Sequence, residues 1–291
     1  MKSNVYFKKE NIYKTSPFYL QFFLKKFWFS PSDVLQRSLE ANIWNKCYFK
    51  NPILEIGIGN GKLTNFLFKD NVQIDIGVDI DKRGLASASK LEMSNGKNRY
   101  RKVTYANAEE MPFVNGFFAT VISNSTFEHI KNDLKAISEV SRVLKKRGLF
   151  FVTVPSLNLK KWILKHERKK NWNTAGQNLD KFNERAQHFH YHSFPEWKEI
   201  FKKNNLELIF YKFYFKKEVA LHWYSLFSFF TLKLWKREVW SWLGDSKLTS
   251  FIPKKPIINL LESYVLKDAY KNGFFTNGEE GAQLFMIAKK V

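Results

Sequence analysis

The stretch ILEIGIGNG, running from Ile53 to Gly61, decides the fold class of this chain. Its first four residues are mostly apolar and predict a short buried β-strand, and the three glycines at alternate positions predict a tight turn into a helix. Glycine suits such a turn because it tolerates positive φ angles and lets a ligand approach the backbone. A dinucleotide-binding turn, G-x-G-x-x-G, needs its third glycine where Lys62 stands. The spacing therefore argues against NAD and favours a ligand without a pyrophosphate.

Short apolar runs alternate with helical segments along the chain, which is typical of a parallel sheet built from βαβ units. Strands are predicted over 53–56, 74–78, 103–105, 118–123, 149–154, 206–215 and 283–288. Helices of the same core are predicted over 62–69, 132–144 and 195–204. The predicted fold class is α/β, a Rossmann-like, mostly parallel seven-stranded sheet with helices on both faces.

Four segments organise the chain. Residues 1–50 predict an N-terminal helical segment, and residues 51–215 contain the core, in which the polar and basic stretch 156–193 predicts a loop or lid. Residues 216–280 predict a helical, aromatic and basic insertion, because these 65 residues far exceed the usual connection of about 4–6. Residues 281–291 supply the final strand of the core.

The composition limits the compartment and the partners. The single cysteine, Cys47, excludes an intramolecular disulfide and a cysteine-based zinc site, so a cytoplasmic setting is predicted. A net charge of +21 suits nucleic acid or an anionic membrane, although the abundance of lysine with asparagine, isoleucine and phenylalanine is also typical of compositional drift. Neither a signal peptide nor a spanning helix is predicted, since the longest apolar stretch, Val219 to Trp235, is shorter than about 20 residues and contains charge.

An acidic residue ends the second predicted strand. Asp79 lies 22 residues beyond Gly57, and a carboxylate at this strand tip can accept hydrogen bonds from both hydroxyls of a ribose. The next residue, Ile80, can pack on the face of an adenine. Asp81 is predicted instead to cap the helix that follows.

Five runs of sequence, in order, resemble the class I methyltransferases that use S-adenosylmethionine, and in particular the ubiquinone-biosynthesis-type or type 11 subgroup. They are similar to motif I, the ribose-binding strand end, the adenine-side loop, the fourth strand with its loop, and the helix before the fifth strand, and they span residues 53–61, 77–81, 107–113, 118–130 and 139–145. The resemblance implies that S-adenosylmethionine is the cofactor. It implies binding by Glu55, Gly57, Gly59, Asn60, Gly61, Asp79, Ile80, Asn107, Ala108, Glu109, Ser123 and Asn124.

Departures from the family pattern narrow the chemistry. Asn107 and Ala119 stand where the family usually has aspartate, and neither change affects the glycines or Asp79. Family members that methylate the amino groups of bases and glutamine carry Asn/Asp-Pro-Pro-Tyr after the fourth strand, whereas residues 123–126 read SNST here. The sequence therefore favours methyl transfer to oxygen, for which a general base is useful.

Histidines are concentrated in one place. His188, His190 and His192 alternate, with Tyr191 among them, which would put all three imidazoles on one face of a strand. We expect a cluster that contacts substrate, with His190 as a candidate base, while a structural or solvated cluster stays an alternative. His129, after the fourth strand, is a second candidate base. No partnering carboxylate is evident, so no metal site is predicted.

Aromatic and basic residues occur together near residues 18–28 and again near residues 223–242. Such a mixture suits a membrane interface, but helices that cover one another would use the same residues. The predicted function is methyl transfer to a small-molecule, lipid or lipid-linked glycan acceptor, with peripheral contact at the anionic inner membrane surface. An RNA methyltransferase, suggested by the basic stretch 160–170, and a catalytically inactive cofactor-binding protein stay as alternatives.

Overall fold

The computed structural model describes residues 6–7, 15–68, 72–245, 249, 251–276 and 278–291. Its central sheet has seven strands: β1 (Ile53–Ile56), β2 (Ile74–Asp79), β3 (Tyr100–Tyr105), β4 (Phe118–Asn124), β5 (Leu144–Pro155), β6 (Leu206–Tyr214) and β9 (Gln283–Lys290). Two short strands, β7 (Lys233–Leu234) and β8 (Arg237–Glu238), form a separate ribbon. The order in the sheet is β3-β2-β1-β4-β5-β9-β6, parallel except for β9, which is antiparallel to both neighbours. The predicted α/β fold class is confirmed.

The helices precede, separate and follow these strands. They are α1 (Pro17–Phe27), α2 (Pro31–Trp44), α3 (Lys62–Leu67), α4 (Lys82–Ala88), α5 (Asp133–Val143), α6 (Leu157–Lys170), α7 (Ala175–Ala186), α8 (Phe194–Lys203), α9 (Lys217–Phe230), α10 (Val239–Gly244), α11 (Lys254–Leu260) and α12 (Lys267–Asn272). A 3₁₀ turn, Phe127–His129, follows β4, and a π-helical turn, Leu261–Leu266, joins α11 to α12. The helix predicted over 62–69 ends at Leu67, and Lys69 lies outside the described residues, as do parts of the segments 1–50 and 216–280.

The stretch predicted as a loop, 156–193, contains two helices, so that prediction was wrong. Ser156 caps α6 by accepting a hydrogen bond from the backbone N–H of Asn158 (3.2 Å). The buried residues of α6 lie four apart on one narrow stripe, and they are Leu159, Ile163 and Glu167. An acidic residue in that stripe and a basic exposed face hide the helical period in the sequence. After α7, Gln187 forms a turn and residues 188–193 form neither helix nor strand.

Two of the predicted strands begin several residues earlier in the structure. β3 begins at Tyr100 and not at residue 103, because exposed Arg101 and Lys102 extend a polar strand at the sheet edge. β5 begins at Leu144 and not at residue 149, through an exposed basic stretch that pairs at its start with Phe118. The β3 ladder continues through exposed polar residues, whereas in β5 the register with β4 shifts between Leu144 and Leu149.

Apolar side chains on the two faces of the sheet form two cores. Ile53 and Phe151 point to the side covered by α1, α2, α6 and the insertion, whereas Leu54 and Phe150 point to the side covered by α5 and α8. The N-terminal helices and the insertion also bind each other, since the Tyr270 hydroxyl on α12 accepts from Asn42 Nδ2 on α2 (2.6 Å). Among the described helices, none combines the length and the apolar character that crossing a membrane demands.

Candidate functional site

A cavity of about 620 Å³ opens at the carboxyl ends of β1, β2 and β4. The strand order reverses between β1 and β4, and ligands of open α/β sheets bind at such a switch point. The volume is in the range of small-molecule sites. The cavity is lined by Ile56, Gly57, Gly59, Val78, Asp79, Ile80, Ala106, Asn107, Ala108, Glu109, Ser125, Thr126, His129, Ile130, Lys131, Gln187 and Phe189.

The glycine turn forms one wall of this cavity, and the absence of a side chain has a different effect at Gly57 than at Gly59. Gly57 has a φ of +79°, and a Cβ there would lie 2.3 Å from the side chain of Thr126. Gly59 has a φ of +52°, and no described atom lies within 4 Å of the position of its Cβ. Gly57 is therefore needed for packing, whereas the space beside Gly59 is open to a ligand.

Asp79 organises the opposite wall. Its Oδ2 accepts from the backbone N–H of Gly59 (2.6 Å) and its Oδ1 from that of Asp81 (2.8 Å). A carboxylate offers about four lone-pair sites, so about two stay available to donors of a ligand. Asp81 caps α4 as predicted, since it accepts from the N–H of Arg83 (3.0 Å). Ile80 is 67% exposed beside these carboxylates, which leaves an apolar surface for a flat ring.

The loop after β3 supplies the third wall, with Asn107, Ala108 and Glu109. The Oδ1 of Asn107 accepts from the N–H of Glu109 (3.0 Å), so this side-chain oxygen is hydrogen-bonded within its own loop. Glu109 in turn accepts from the N–H of Asn132 at the start of α5 (3.3 Å). The loop is thereby held in place beside Ile80.

Five of the predicted cofactor-binding residues are not on the cavity wall. Buried Glu55 accepts from the hydroxyls of Thr64 (2.8 Å) and Tyr100 (2.9 Å), and burial raises the pKa of its carboxyl to about 7. Asn60 accepts from the backbone N–H of Lys62, and Gly61 is the N-cap residue of α3. Ser123 donates to the Ile56 carbonyl, and Asn124 donates to Glu40 on α2. Their roles in cofactor binding stay predictions.

A buried polar network joins α2 to the loop after β4. Glu40 is fully buried and forms an ion pair with Arg37 (Nη1 to Oε2, 2.7 Å). Glu40 also accepts from Asn124 Nδ2 (3.0 Å) and from the hydroxyl of Ser125 (3.3 Å). Asn124 Oδ1 accepts from Trp44 Nε1 (2.7 Å). No sequence pattern indicates Glu40 as part of this site, because only the fold brings α2 next to the loop.

The three alternating histidines do not share one face, and the segment that carries them is not a strand. His188 contacts His129, with ring centroids 5.4 Å apart, while His190 and His192 stack on each other at 5.8 Å. Gln187 ends α7 with a φ of +56°, and residues 188–193, which follow it, form no strand. His129 lines the cavity, whereas His188, His190, His192 and Tyr191 do not, so their substrate and base roles stay predictions.

Glu128 is a functional candidate that the sequence analysis did not identify. It is 4% exposed, and its Oε2 has no hydrogen-bond partner among the described residues. Burial raises the pKa of this carboxyl to about 8. Burial also lowers the pKa of the neighbouring His129, and it lowers that of His188 to about 3, so both imidazoles are neutral at pH 7. Buried, perturbed groups beside a cleft are typical of functional sites.

A second cavity, of about 1100 Å³, adjoins the first and shares His129 and Gln187 with it. Its other walls come from α6, α7, α9 and the ribbon. They are formed by Glu167, Lys170, Asn178, Lys181, Phe182, Glu184, Arg185, Ala186, Tyr224, Phe227, Ser228, Thr231, Leu232, Lys233 and Glu238. Two adjoining cavities with a histidine between them provide separate places for two reactants.

Comparison with known proteins agrees with this geometry. A family of methyltransferase domains, type 11, matches residues 54–152. The uncharacterised protein MJ1123 of Methanocaldococcus jannaschii is 32% identical over 127 residues, which cover 44% of this chain and 55% of that protein. The uncharacterised methyltransferase YcgJ of Bacillus subtilis is 33% identical over 107 residues, which cover 37% and 42%. The chain thus spans about half the length of the curated relatives it matches.

A solved structure extends the similarity of fold to nearly the whole chain. An S-adenosylmethionine-dependent methyltransferase of Thermotoga maritima superposes with a TM-score of 0.50 at 18% identity, over 94% of this chain and 99% of that one. The cavity fits this cofactor, since Asp79 retains acceptor capacity, Ile80 offers an apolar face and the space beside Gly59 is open. Residues 54–152 therefore form a class I, type 11 methyltransferase domain, and S-adenosylmethionine is its cofactor.

Proposed function

We propose that this protein transfers a methyl group from S-adenosylmethionine in the first cavity to a hydroxyl oxygen of an acceptor in the second. The observation that carries the proposal is the position of His129, which lines both cavities. A group in that position contacts both reactants at the point where they meet. The reaction needs little more than such positioning, because the donor is already activated.

The cofactor supplies an electrophilic methyl carbon on a sulfonium, so the C–S bond breaks as the new C–O bond forms. The chain has to orient the acceptor and remove the hydroxyl proton. His129 is placed for this task, because its Nδ1 faces the Gln187 carbonyl oxygen at 3.0 Å and therefore carries the hydrogen. Its Nε2 then has a free lone pair, and the lowered pKa of the imidazole keeps it neutral.

Alanine variants at the two candidate bases test the proposal. Turnover is measured as S-adenosylhomocysteine released with small-molecule and lipid extracts, and cofactor affinity is measured separately by calorimetry. We expect His129→Ala to lose at least about 100-fold in turnover with cofactor affinity within threefold of the wild type. Loss of turnover in His190→Ala, with full turnover in His129→Ala, would place the acceptor elsewhere and overturn the proposal.

The surface beside the second cavity supports a lipid or lipid-linked acceptor. Leu232 and Lys233 line the cavity, and Trp235 follows at the tip of the β7–β8 ribbon, 95% exposed and with a φ of +63°. A bulky residue in this backbone conformation carries strain, and full exposure adds a hydration cost. Aromatic side chains beside lysines suit the headgroup region of an anionic membrane. We therefore place the mouth of the acceptor cavity at a membrane surface.

Co-sedimentation with anionic and zwitterionic vesicles tests this placement. We expect binding to anionic vesicles that Trp235→Ser weakens at least threefold. The matched control is Val114→Ser, which removes a 69% exposed apolar side chain. Val114 lies in the loop before the amino end of the central strand β4. Equal binding by wild type and Trp235→Ser, or no binding to either kind of vesicle, would contradict the membrane placement.

An RNA acceptor is the second candidate, favoured by one surface of α6. Exposed Lys161, Lys165 and Lys169 line a shallow groove there, and Arg168 stacks on Trp172 at 4.5 Å. Basic side chains with an aromatic platform suit a single strand. RNA binding with an affinity that falls steeply with salt, and methyl transfer to RNA lost in Trp172→Ala, would favour this candidate over the lipid acceptor.

A further inference from the structure

Three side chains converge at the wall between the two cavities. Glu128, His129 and His188 each offer one ligand atom, and these atoms all lie within 4.8 Å of one another. Glu128 Oε1 lies 4.0 Å from His129 Nε2. The convergence depends on the fold, because His188 follows α7 and is 59 residues further along the chain than His129.

Both imidazoles have their hydrogen on the nitrogen that faces away from the cluster. His129 Nδ1 donates to the Gln187 carbonyl (3.0 Å). His188 Nδ1 lies 2.7 Å from the Tyr191 hydroxyl, which itself donates to Asn183 Oδ1 (2.8 Å) and so accepts from His188. Each Nε2 therefore presents a lone pair, and a partner on the other nitrogen fixes the ring, as it does for histidines that bind metals.

The carboxylate of the cluster has an unused oxygen. Glu128 is 4% exposed, and its Oε2 has no hydrogen-bond partner among the described residues. Burying a polar oxygen without a partner is unfavourable, and a bound cation would provide that partner. Arg37 also acts on this cluster, but its guanidinium is ion-paired with Glu40, whose negative charge opposes that of Arg37 at Glu128.

A second group of potential ligands, Asp133, His190 and His192, is used differently. His192 Nε2 is hydrogen-bonded to Asp133 Oδ2 (2.5 Å), and His190 Nε2 donates to the carbonyl of Lys131 (2.8 Å). These contacts already satisfy the acidic oxygen and one nitrogen of each ring. This group therefore serves as an internal comparison for the first.

We propose that Glu128, His129 and His188 bind a divalent transition-metal ion, for which Zn²⁺ is the best chemical match. Two imidazoles and one carboxylate leave a fourth position open, which is the arrangement of catalytic zinc. Ligand atoms about 2.1 Å from a tetrahedral ion are about 3.4 Å apart, so small side-chain rotations close the present separations. Because His129 lines both cavities, the open position faces the reactants.

The metal gives the acceptor site a chemical preference. A hydroxyl bound at the open position loses its proton to water more readily, and its oxygen then forms the C–O bond as the C–S bond of the donor breaks. In this state His129 Nε2 is a ligand and not the proton acceptor. This consequence rests on the proposed function, whereas binding of the metal does not.

Calorimetric titration of the chelator-treated full chain with Zn²⁺ alone tests the site, and the absorption of bound Co²⁺ reports its geometry. We expect one tight site in the wild type. Glu128→Gln and His188→Ala should weaken binding more than about 100-fold, and Tyr191→Phe, which removes the acceptor of His188 Nδ1, about 10-fold. His190→Ala, two residues along the same loop, is the matched control and should bind as the wild type does. Melting curves establish that each variant is folded.

Three outcomes overturn the metal site: no stoichiometric binding, unchanged binding in Glu128→Gln, or loss of binding in His190→Ala, which would assign the ion to the second group. A chain without a metal site that still loses turnover in His129→Ala keeps the proposed function, with His129 as the base. A chain that binds Zn²⁺ but transfers no methyl group to any acceptor keeps the site and refutes the proposed function. The two proposals therefore fail separately.

Discussion

Replacing Asp79 by alanine removes one carboxylate that has two tasks. It accepts from the backbone N–H groups of Gly59 (2.6 Å) and Asp81 (2.8 Å), and it faces the cavity with its remaining lone pairs. The first task shapes the glycine turn, and the second is the proposed contact with the ribose of the cofactor. The variant should therefore affect stability and affinity by separate amounts.

The affinity loss follows from the number of lone pairs. About two are available to the ligand, and a hydrogen bond to a charged group contributes about 1.5–3 kcal/mol, so the two contribute about 3–6 kcal/mol. Asp79 is only half-buried, which screens its charge and favours the lower value. A loss of about 3 kcal/mol corresponds to an increase of about 100-fold in Kd.

Calorimetric titration with S-adenosylmethionine measures this increase, and Asp81→Ala provides the control. Asp81 is also acidic, lies two residues away and caps α4, but it does not line the cavity. We expect its variant to lose about 1 kcal/mol of stability and to keep its cofactor affinity within threefold. A Kd for Asp79→Ala within threefold of the wild type, in a folded variant, would refute the ribose assignment.

Three further substitutions separate the causes of stability from those of binding. Gly57→Ala places a Cβ 2.3 Å from Thr126 at a φ of +79°, so urea unfolding should show a loss of about 3 kcal/mol. Gly59→Ala meets no described atom within 4 Å and should lose only about 1 kcal/mol, while calorimetry should show at least tenfold weaker cofactor binding, since the methyl group projects into the cavity. Burial raises the pKa of Glu55 to about 7, so the folded state binds this proton more tightly than the unfolded chain does. The resulting contribution to stability, at most about 3 kcal/mol, is complete below about pH 4.5 and is lost as the pH rises through about 7. The Tm of Glu55→Gln should therefore fall less between pH 5 and pH 8 than that of the wild type, and equal falls would contradict the assigned pKa.

The half of the site that binds the cofactor could be predicted because its determinants are local. The glycine turn directly follows β1, and Asp79 is the last residue of β2. Parallel strands bring their carboxyl ends to one edge of the sheet, so these two features meet there. Glu55 shows the limit of such reasoning. It belongs to the same motif, yet the alternation of β1 turns it away from the cavity toward Thr64 and Tyr100.

The rest could not be predicted, because the contacts that define it join distant segments. Glu40 is on a helix that the sequence pattern assigns only to an N-terminal segment, and its partner Asn124 is 84 residues away. Glu128 directly precedes the predicted base His129. Its burial could not be predicted, because it depends on distant segments that the fold packs over it. Alternation groups His188 with His190 and His192, whereas in the structure its ring contacts His129, and the other two stack on each other.

The family match covers the strands and turns of the first cavity and not the walls of the second. The family match ends at residue 152, and apart from His129 every residue of the second cavity comes after it. Those later residues belong to α6, to α7 and Gln187 after it, and to the part of the insertion that contains α9 and the ribbon, and α9 packs against both α6 and α2. Evolution of this cavity can therefore change the acceptor without altering the glycine turn or Asp79. It follows that the acceptor must be identified from the chemistry of His129, Glu128 and the second cavity in this chain itself.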